Sequence, residues 1–266
     1  GWGSVVGNAL DHGVGYTFGQ YRDHFGSHCG MEVVLPNGEL MRTGMAALAN
    51  DASWADYKYG FGPHVAGLFG QANFGIVTKM GFWLMPEPEA YRRATVSVPK
   101  RRDIVPLVAH VNHLENAGLI GMPGFRSPLG FGQAREPELR ALVAKAGGPT
   151  DEELDRFAES RGIPSWSVEL QFYGPAKTIA GTWEYVQERI GAAIPGSRFE
   201  DGVSYRFPLS AEQQAEVQRV HRLVDIGVPN MSIFAIAGGR TPQNPDTADG
   251  GQFYFSPMIP RTGEAI

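Results

Sequence analysis

The chain has 266 residues, of which 42% are apolar and 19% charged, so it can bury one large core or two moderate ones. Its formal net charge of −5, with no long basic run, argues against a nucleic-acid partner. A membrane partner is not predicted either, because no stretch approaches the ~20 apolar residues that cross a bilayer.

Cysteine usage is equally restrictive. The single cysteine, Cys29, excludes an internal disulfide framework and a multi-cysteine zinc site, and we expect it to be a buried thiol.

Residues 1–30 are unusually rich in glycine. Gly13 and Gly15 would allow main-chain amides to lie against a flat ring or a pyrophosphate, since no Cβ intervenes. A glycine-rich turn region with structural duties alone explains the same composition, and both interpretations stay open at this point. The segment is not a dinucleotide-binding fingerprint, because no apolar strand precedes a Gly-x-Gly-x-x-Gly turn that leads into a helix.

The next part of the chain predicts a small sheet. Residues 31–35 and 40–43 alternate around Asn37-Gly38, which is typical of a β-hairpin. The pattern then predicts a short helix at residues 68–73 and an apolar strand at residues 75–84. An aromatic cluster at residues 54–61 either lines a cofactor edge or an interface or packs in the core, and we assign it no role.

Pro86-Glu87-Pro88-Glu89 interrupts every regular pattern, so we predict a domain boundary there, with domains at residues 1–88 and 89–266. Thr150 and Glu153 fit a capping box, which predicts the N-terminus of a helix with Thr150 as its N-cap. The second domain is predicted to be a sheet layered by helices on one face. Its predicted strands are residues 94–98, 166–172, 231–237 and 253–258, and its predicted helices are residues 103–117, 150–161, 176–190 and 211–224.

Several separate motifs, in sequence order, closely resemble the vanillyl-alcohol oxidase family, whose members include 4-cresol dehydrogenase (the para-cresol methylhydroxylase flavoprotein) and eugenol oxidase. The similarity is dense over residues 1–88 and weaker beyond them. It is carried by Gly7-Asn8-Ala9-Leu10-Asp11-His12-Gly13-Val14-Gly15-Tyr16-Thr17, Asp23-His24-Phe25 and residues 29–35, 42–45, 59–63 and 75–81.

The resemblance implies an α+β fold: the second half of a para-cresol-methylhydroxylase-type FAD-binding domain, followed by part of an antiparallel-sheet cap, or substrate, domain. It also implies FAD as cofactor and oxidation of para-substituted phenols by hydride transfer to flavin N5 through a quinone methide. The competing hypothesis is a catalytically inactive, flavin-free structural or interaction domain on the same fold, because a fold does not establish a function.

The resemblance also assigns site residues. Tyr16 matches a family tyrosine that lines the active site near the flavin, where its hydroxyl can polarise the substrate; the alternative is a tyrosine packed in the sheet. Asp11 stands where relatives carry Asp or Glu. The positions that match cofactor contacts are Gly3, Ser4, Gly7, Asn8, Asp11, Gly13, Val14 and Ile76.

The departures from the family also matter. Residues 18–22 form a loop about two residues longer than usual, so we expect a remodelled active-site loop. The family's catalytic aspartate falls two positions before Gly1, and its pyrophosphate loop, flavin-anchoring histidine and phenolate-holding tyrosine and arginine also fall outside the sequence. We therefore expect an internal fragment that is inactive alone. The compartment stays open, with the cytoplasm favoured over the periplasm.

The sequence gives weaker support to a metal site or a serine hydrolase. His24 and His28 with adjacent Cys29 suggest zinc, but the segment is not predicted to be helical and a third ligand is missing nearby, so no metal is predicted. The serines lack the Gly-x-Ser-x-Gly elbow of a hydrolase. The expected partner is a small phenolic substrate; a homo-oligomer is a family expectation, and no residue indicates a cytochrome partner. Oxidase and dehydrogenase, like covalent and non-covalent FAD, stay open.

Overall fold

The computed structural model of the chain describes residues 4–15, 17, 19–127, 129, 136–219, 226 and 258–266. They form two compact units: the first contains the described residues up to Glu87 together with Gln214–Arg219 and Ile226, and the second contains Pro88–Gln213 together with the described residues 258–266. The division falls inside the proline-rich segment at residues 86–89. The assignment of residues 1–88 and 89–266 to cofactor and substrate domains stays a prediction.

The first unit is built on a three-stranded antiparallel sheet with the strand order β2-β1-β3. The predicted hairpin is confirmed: Val34 pairs with Leu40 across a turn in which Gly38 has a φ of 84°. Its first strand begins at His28, three residues earlier than predicted. The elements are the helix α1 (Val5–Leu10) and the strands β1 (His28–Val34), β2 (Leu40–Arg42) and β3 (Ile76–Phe82).

The predicted helix at residues 68–73 is wrong in position and type. The structure has a 3-10 helix at Val65–Phe69, and Gln71, with a φ of 48°, lies in the left-handed region that a continuing helix does not visit. Further 3-10 turns occur at Gly19–Tyr21 and Gly44–Ala47.

The core of the first unit lies on one side of its sheet. Met31 and Val33 of β1 are fully buried against Phe69, and Leu10 of α1 packs against the same cluster. Cys29 is also fully buried, as predicted, and desolvation raises the pKa of its thiol above the ordinary value.

The second unit contains a four-stranded antiparallel sheet with the strand order β5-β6-β4-β7. Strand β6 (Trp166–Gly174) extends two residues beyond the predicted end at residue 172, because Tyr173 and Gly174 pair with the start of β4 (Ala90–Val98). The strands are β4 (Ala90–Val98), β5 (Gly124–Arg126), β6 (Trp166–Gly174) and β7 (Arg198–Arg206).

Two helices cover one face of this sheet. Val96 and Val168 point into a core that contains Leu107 of the first covering helix and Val186 of the second. This confirms the predicted layered arrangement. The two covering helices are α2 (Ile104–Asn116) and α5 (Ala176–Ala193). The unit also contains α3 (Pro137–Val143) and α4 (Asp151–Ser160). The last helix, α6 (Ala211–Arg219), begins in this unit, and its residues from Gln214 onward belong to the first unit.

Most predicted elements of the second unit are present. The capping box of α4 is confirmed: Thr150 Oγ1 accepts a hydrogen bond from the Glu153 amide at 3.3 Å, and Glu153 accepts one from the Thr150 amide at 2.9 Å. The helix predicted at residues 211–224 is described as far as Arg219. The predicted strand at residues 231–237 and nearly all of that at 253–258 lie outside the described residues.

Candidate functional site

The motif that carries the resemblance begins with helix α1. Ser4 is its N-cap: the residue is extended, and its Oγ accepts a hydrogen bond from the Gly7 amide at 3.1 Å. Ser4 and Gly7 are both exposed. Ser4 therefore caps one amide of the first helical turn, and both residues remain exposed to solvent.

The C-terminal end of α1 is closed by the backbone. The Gly13 amide donates to the Asn8 carbonyl at 2.8 Å, and the His12 amide donates to the Ala9 carbonyl at 3.0 Å. This pair of bonds is a Schellman motif, whose left-handed position is most often glycine. Here it is His12, with a φ of 55°.

Gly13 and Gly15 lie against side chains of the chain itself. A Cβ on Gly13 would fall 2.5 Å from Asn8 Cγ, and a Cβ on Gly15 would fall 2.7 Å from His24 Nε2. Asn8 Oδ1 and His24 Nδ1 are joined by a hydrogen bond. The two glycines thus leave room for the Asn8–His24 pair, so their presence does not by itself indicate a ligand.

Residues 13–15 form a short antiparallel pairing with residues 22–24. Val14 bridges Asp23, the Gly15 amide donates to the Arg22 carbonyl at 2.7 Å, and the His24 amide donates to the Gly13 carbonyl at 3.3 Å. The lengthened loop expected beside the active site follows Val14 and returns at Asp23, so this pairing fixes both of its ends.

A distant stretch of sequence contacts the end of α1. The Gln71 amide donates to the Leu10 carbonyl at 2.8 Å, and Gln71 Nε2 lies 3.4 Å from both the carbonyl oxygen and Oδ1 of Asp11. Helix α1 also lies against β3. These contacts hold the end of α1, including Asp11, against the segment that precedes β3.

The described candidate residues are accessible to a ligand. Val14 is 62% exposed and Ile76 is 71% exposed, although both are large and apolar. Ser4, Gly7, Asn8 and Asp11 are exposed as well, and Gly13 is half-buried. Exposed apolar side chains and exposed polar groups are thus both available to a flat, partly polar cofactor such as FAD.

Two predicted residues, Tyr16 and Gly3, lie outside the described residues. The proposed catalytic role of Tyr16 therefore stays a prediction, as do the individual cofactor contacts.

Beside the motif, aromatic rings form a continuous row. Phe25 contacts His12 on one side and His28 on the other, with ring centroids 4.8 Å and 4.5 Å apart. The His28 ring stacks on His64 at 5.7 Å, and His64 meets Tyr59 edge-on at 5.0 Å. No sequence pattern predicts this row, because its members come from three separate segments.

His28 is the most buried member of the row. Its Nδ1 is hydrogen-bonded to the Phe25 carbonyl, while its Nε2 is buried and has no hydrogen-bond partner within the described part of the chain. Desolvation lowers the pKa of His28, and the positive charge of Lys58 acts in the same direction. The pKa of His64 is lowered by the same two causes. Both imidazoles are expected to be neutral at pH 7.

The described part of the chain holds no group of three or more His, Cys, Asp or Glu side chains suited to a metal ion, so the arrangement does not support a zinc site at His24, His28 and Cys29.

Of the aromatic cluster at residues 54–61, Trp54 packs against Gly30, whereas Phe61 is 87% exposed. Core packing does not account for Phe61.

A cavity of about 210 Å³ in the first unit lies away from the predicted residues. Two cations, Arg42 and Lys79, line it together with two carboxylates, Glu32 and Asp51. Glu32 accepts hydrogen bonds from Arg42 Nη2 at 2.8 Å and Nε at 3.0 Å, and these bonds lower its pKa. The opposite charges balance, so the cavity indicates no particular ligand.

Comparison with known proteins identifies the relatives of this chain. No protein-family model matches it. The flavoprotein subunit of 4-cresol dehydrogenase (hydroxylating) from Pseudomonas putida is 30% identical over 262 residues, which is 97% of this chain and 46% of that protein. The crystal structure of p-cresol methylhydroxylase with substrate bound superposes with a TM-score of 0.64 at 31% identity, over 89% of this chain and 44% of the other. The resemblance to the vanillyl-alcohol oxidase and 4-cresol dehydrogenase family is confirmed.

Two further relatives act on other substrates. A 4-ethylphenol oxidase from Gulosibacter chungangensis, in complex with isoeugenol, superposes with a TM-score of 0.63 at 35% identity, over 88% of this chain and 44% of the other. The 1'-carboxy-chondrochloren decarboxylase of Chondromyces crocatus is 44% identical over 85 residues, which is 32% of this chain and 15% of that protein.

The chain spans about half the length of the 4-cresol dehydrogenase flavoprotein subunit, 46% of it. The predicted α+β fold of the para-cresol-methylhydroxylase type is confirmed by the superpositions. The predicted flavin is confirmed at the level of the family, since the 4-cresol dehydrogenase relative is a flavoprotein subunit. No helix in the described ranges is long and apolar enough to cross a membrane.

Proposed function

We propose that this protein is an FAD-dependent oxidoreductase that oxidises small para-substituted phenols by hydride transfer to flavin N5 through a quinone methide. The observation that carries the proposal is the agreement of sequence and fold, over almost the whole chain, with 4-cresol dehydrogenase. The similarity to a 4-ethylphenol oxidase points to the same substrate class. When bound, FAD would accept the hydride, and the protein would supply binding and orientation.

The described residues have separate proposed roles. The exposed first turn of α1, from Ser4 to Gly7, would lie along the cofactor, and the apolar side chains of Val14 and Ile76 would cover part of it. Asp11 would offer a carboxylate to polar groups of the cofactor. Tyr16 is the proposed catalytic residue, whose hydroxyl would hydrogen-bond to the substrate.

Geometry supports these roles in one respect. The Schellman motif at His12, the Asn8–His24 hydrogen bond and the Gln71 contacts fix the backbone of the motif through the chain's own residues. A cofactor would therefore find the exposed positions already arranged and would not have to order them, which lowers the entropy cost of binding.

The test uses protein made from the complete coding sequence. Its absorbance spectrum should show a flavin band near ~450 nm, and 4-ethylphenol added without oxygen should bleach that band. Recovery of the band on admitting oxygen would indicate an oxidase, whereas recovery only with an added electron acceptor would indicate a dehydrogenase. Released carbon dioxide should also be measured with a carboxylated substrate, because one relative is a decarboxylase.

The competing hypothesis makes the opposite prediction. A flavin-free structural domain would show no band, and added FAD would not raise its melting temperature. A protein that binds FAD but is not reduced by any para-substituted phenol would retain the cofactor proposal and overturn the substrate proposal. A Tyr16→Phe variant should keep FAD and lose most of the reduction rate. The homo-oligomer remains a family expectation, no residue indicates a cytochrome partner, and the compartment stays open.

A further inference from the structure

A large cavity lies in the second unit. Its volume is about 580 Å³, within the range of roughly 300–1,000 Å³ that is usual for small-molecule sites. Residues of α3 and α4 and the first residue of β6 form its walls. Most of the lining is apolar, with Leu129, Leu139, Val143, Leu154 and Trp166 as its larger apolar side chains.

The charged groups in the lining have one sign. Arg101 and Arg140 both line the cavity, and no carboxylate is among the lining residues that the structure describes. The Arg101 guanidinium lies over the Trp166 ring, with Cζ 4.3 Å from the ring centroid, and Trp166 Nε1 donates to the Arg101 carbonyl at 2.9 Å. The guanidinium is therefore held against an apolar wall at a fixed place.

Arg101 keeps hydrogen-bonding capacity there. Its Nη1 lies 3.5 Å from Ser127 Oγ, and its Nε lies 3.7 Å from Asp151 Oδ1, which is too long for a hydrogen bond. Nε is buried and has no hydrogen-bond partner among the residues that the structure describes. Because Asp151 is largely exposed, this loose ion pair compensates the charge of Arg101 only weakly.

We propose that this cavity binds a hydrophobic monocarboxylate. Its aliphatic or aromatic body would occupy the leucine-lined part, and its carboxylate would pair with Arg101, with the exposed Arg140 contributing positive charge at the rim. A neutral amphiphile would leave the guanidinium with only its loose ion pair to Asp151, and a cation would be repelled. The site uses no residue of the proposed flavin region, so it stands whether or not the protein oxidises phenols.

The binding test compares two probes of one chain length, decanoate and 1-decanol, by calorimetric titration of the full protein. Decanoate should bind at least about tenfold more tightly, since a charge-assisted hydrogen bond contributes about 1.5–3 kcal/mol. Higher salt should weaken the binding of decanoate more than that of decanol. Equal affinities for the two probes, or no decanoate binding below millimolar concentration, would overturn the proposal.

Variants locate the site. Ala144→Trp should fill the cavity and abolish decanoate binding, and Arg140→Gln should weaken it several-fold. The matched control is Ala192→Trp, also at an exposed alanine but on α5, which should bind decanoate normally. Far-UV circular dichroism checks that the variants fold. If Ala144→Trp is folded and binds decanoate as tightly as the control, the ligand lies elsewhere and the assignment is wrong.

Discussion

Gly13 lies directly against the side chain of Asn8, so that a Cβ on Gly13 would fall 2.5 Å from Asn8 Cγ. Asn8 cannot readily turn away, because its Oδ1 is hydrogen-bonded to His24 Nδ1. Gly13 thus leaves room for the Asn8 side chain in its hydrogen-bonded position, whatever the first unit binds.

This relationship predicts the effect of Gly13→Ala. The added methyl group should lower the free energy of unfolding by about 1–3 kcal/mol, the usual cost of overpacking, as measured by urea denaturation. Gly67→Ala is the control, because nothing lies within 4 Å of the place that its new methyl group would occupy. In an Asn8→Ala background the penalty should largely disappear. A penalty that persists in that background would show that Asn8 is not its cause.

Gly7→Ala separates cofactor contact from packing. A Cβ at Gly7 meets only Ser4, with Cβ at 3.4 Å, an ordinary contact, and alanine is favoured over glycine inside a helix by about 1 kcal/mol. Stability should therefore stay equal or rise slightly. If the backbone of α1 lies along FAD as proposed, the affinity for FAD should fall about tenfold or more in a fluorescence titration.

The matched control for Gly7→Ala is Gly181→Ala, another glycine inside a helix, α5; a Cβ there meets nothing within 4 Å, and the change should not alter FAD affinity. Unchanged affinity in Gly7→Ala would remove Gly7 from the proposed cofactor contacts.

The buried His28 predicts acid sensitivity. Its folded-state pKa is lowered below the ordinary value near 6.5, so the unfolded chain binds the proton more readily than the folded one. Stability from this group is fully present above about pH 6.5 and decreases as the pH falls below it. Burial is the largest cause; the hydrogen bond to the Phe25 carbonyl and the charge of Asp23 favour protonation, whereas Lys58 and His64 oppose it.

Urea midpoints measured between about pH 7.5 and 5.5 should therefore fall in the parent protein and fall less in His28→Gln, which cannot be protonated. The pKa of His64 is lowered as well, so His64→Gln should also reduce the fall of the urea midpoint with pH, but by less than His28→Gln does. An identical pH slope in the parent and in His28→Gln would refute this assignment.

The capping box of α4 predicts a local cost. Thr150→Ala removes the hydroxyl that accepts the Glu153 amide and should lower the free energy of unfolding by about 1 kcal/mol. Thr150→Ser keeps the acceptor and should restore most of the loss. Thermal unfolding followed by circular dichroism measures both, and a Thr150→Ala protein as stable as the parent would contradict the role of the cap.

Elements with strong local signals were predictable from sequence. The Asn37-Gly38 turn, the Thr150–Glu153 box and the helical spacing of apolar residues in α2 each specify their element without help from distant contacts. Strand β7 was missed because Glu200, Asp201 and Gly202 break any apolar alternation. It forms because its backbone pairs along β4.

At the candidate site, too, features that depend on contacts between distant parts of the sequence could not be predicted. The resemblance supplied the candidate positions, and six of the seven that the structure describes are exposed. The physical reasons for the glycines were not predictable, because Asn8 and His24 reach Gly13 and Gly15 only after the chain has folded back on itself. The ring row through Phe25 and His28 was missed for the same reason: its members are distant in sequence.

The burial of Cys29 gives the protein a built-in reporter. Cys29 is the single thiol of the chain, is shielded from solvent and has a raised pKa. It should therefore react slowly with maleimides as long as the first unit stays folded. The rate at which it becomes labelled would then measure how often β1 opens to solvent, without any engineered probe. Adding FAD should slow that labelling if the cofactor binds the first unit, which makes one sulfur atom a readout for cofactor binding independent of turnover.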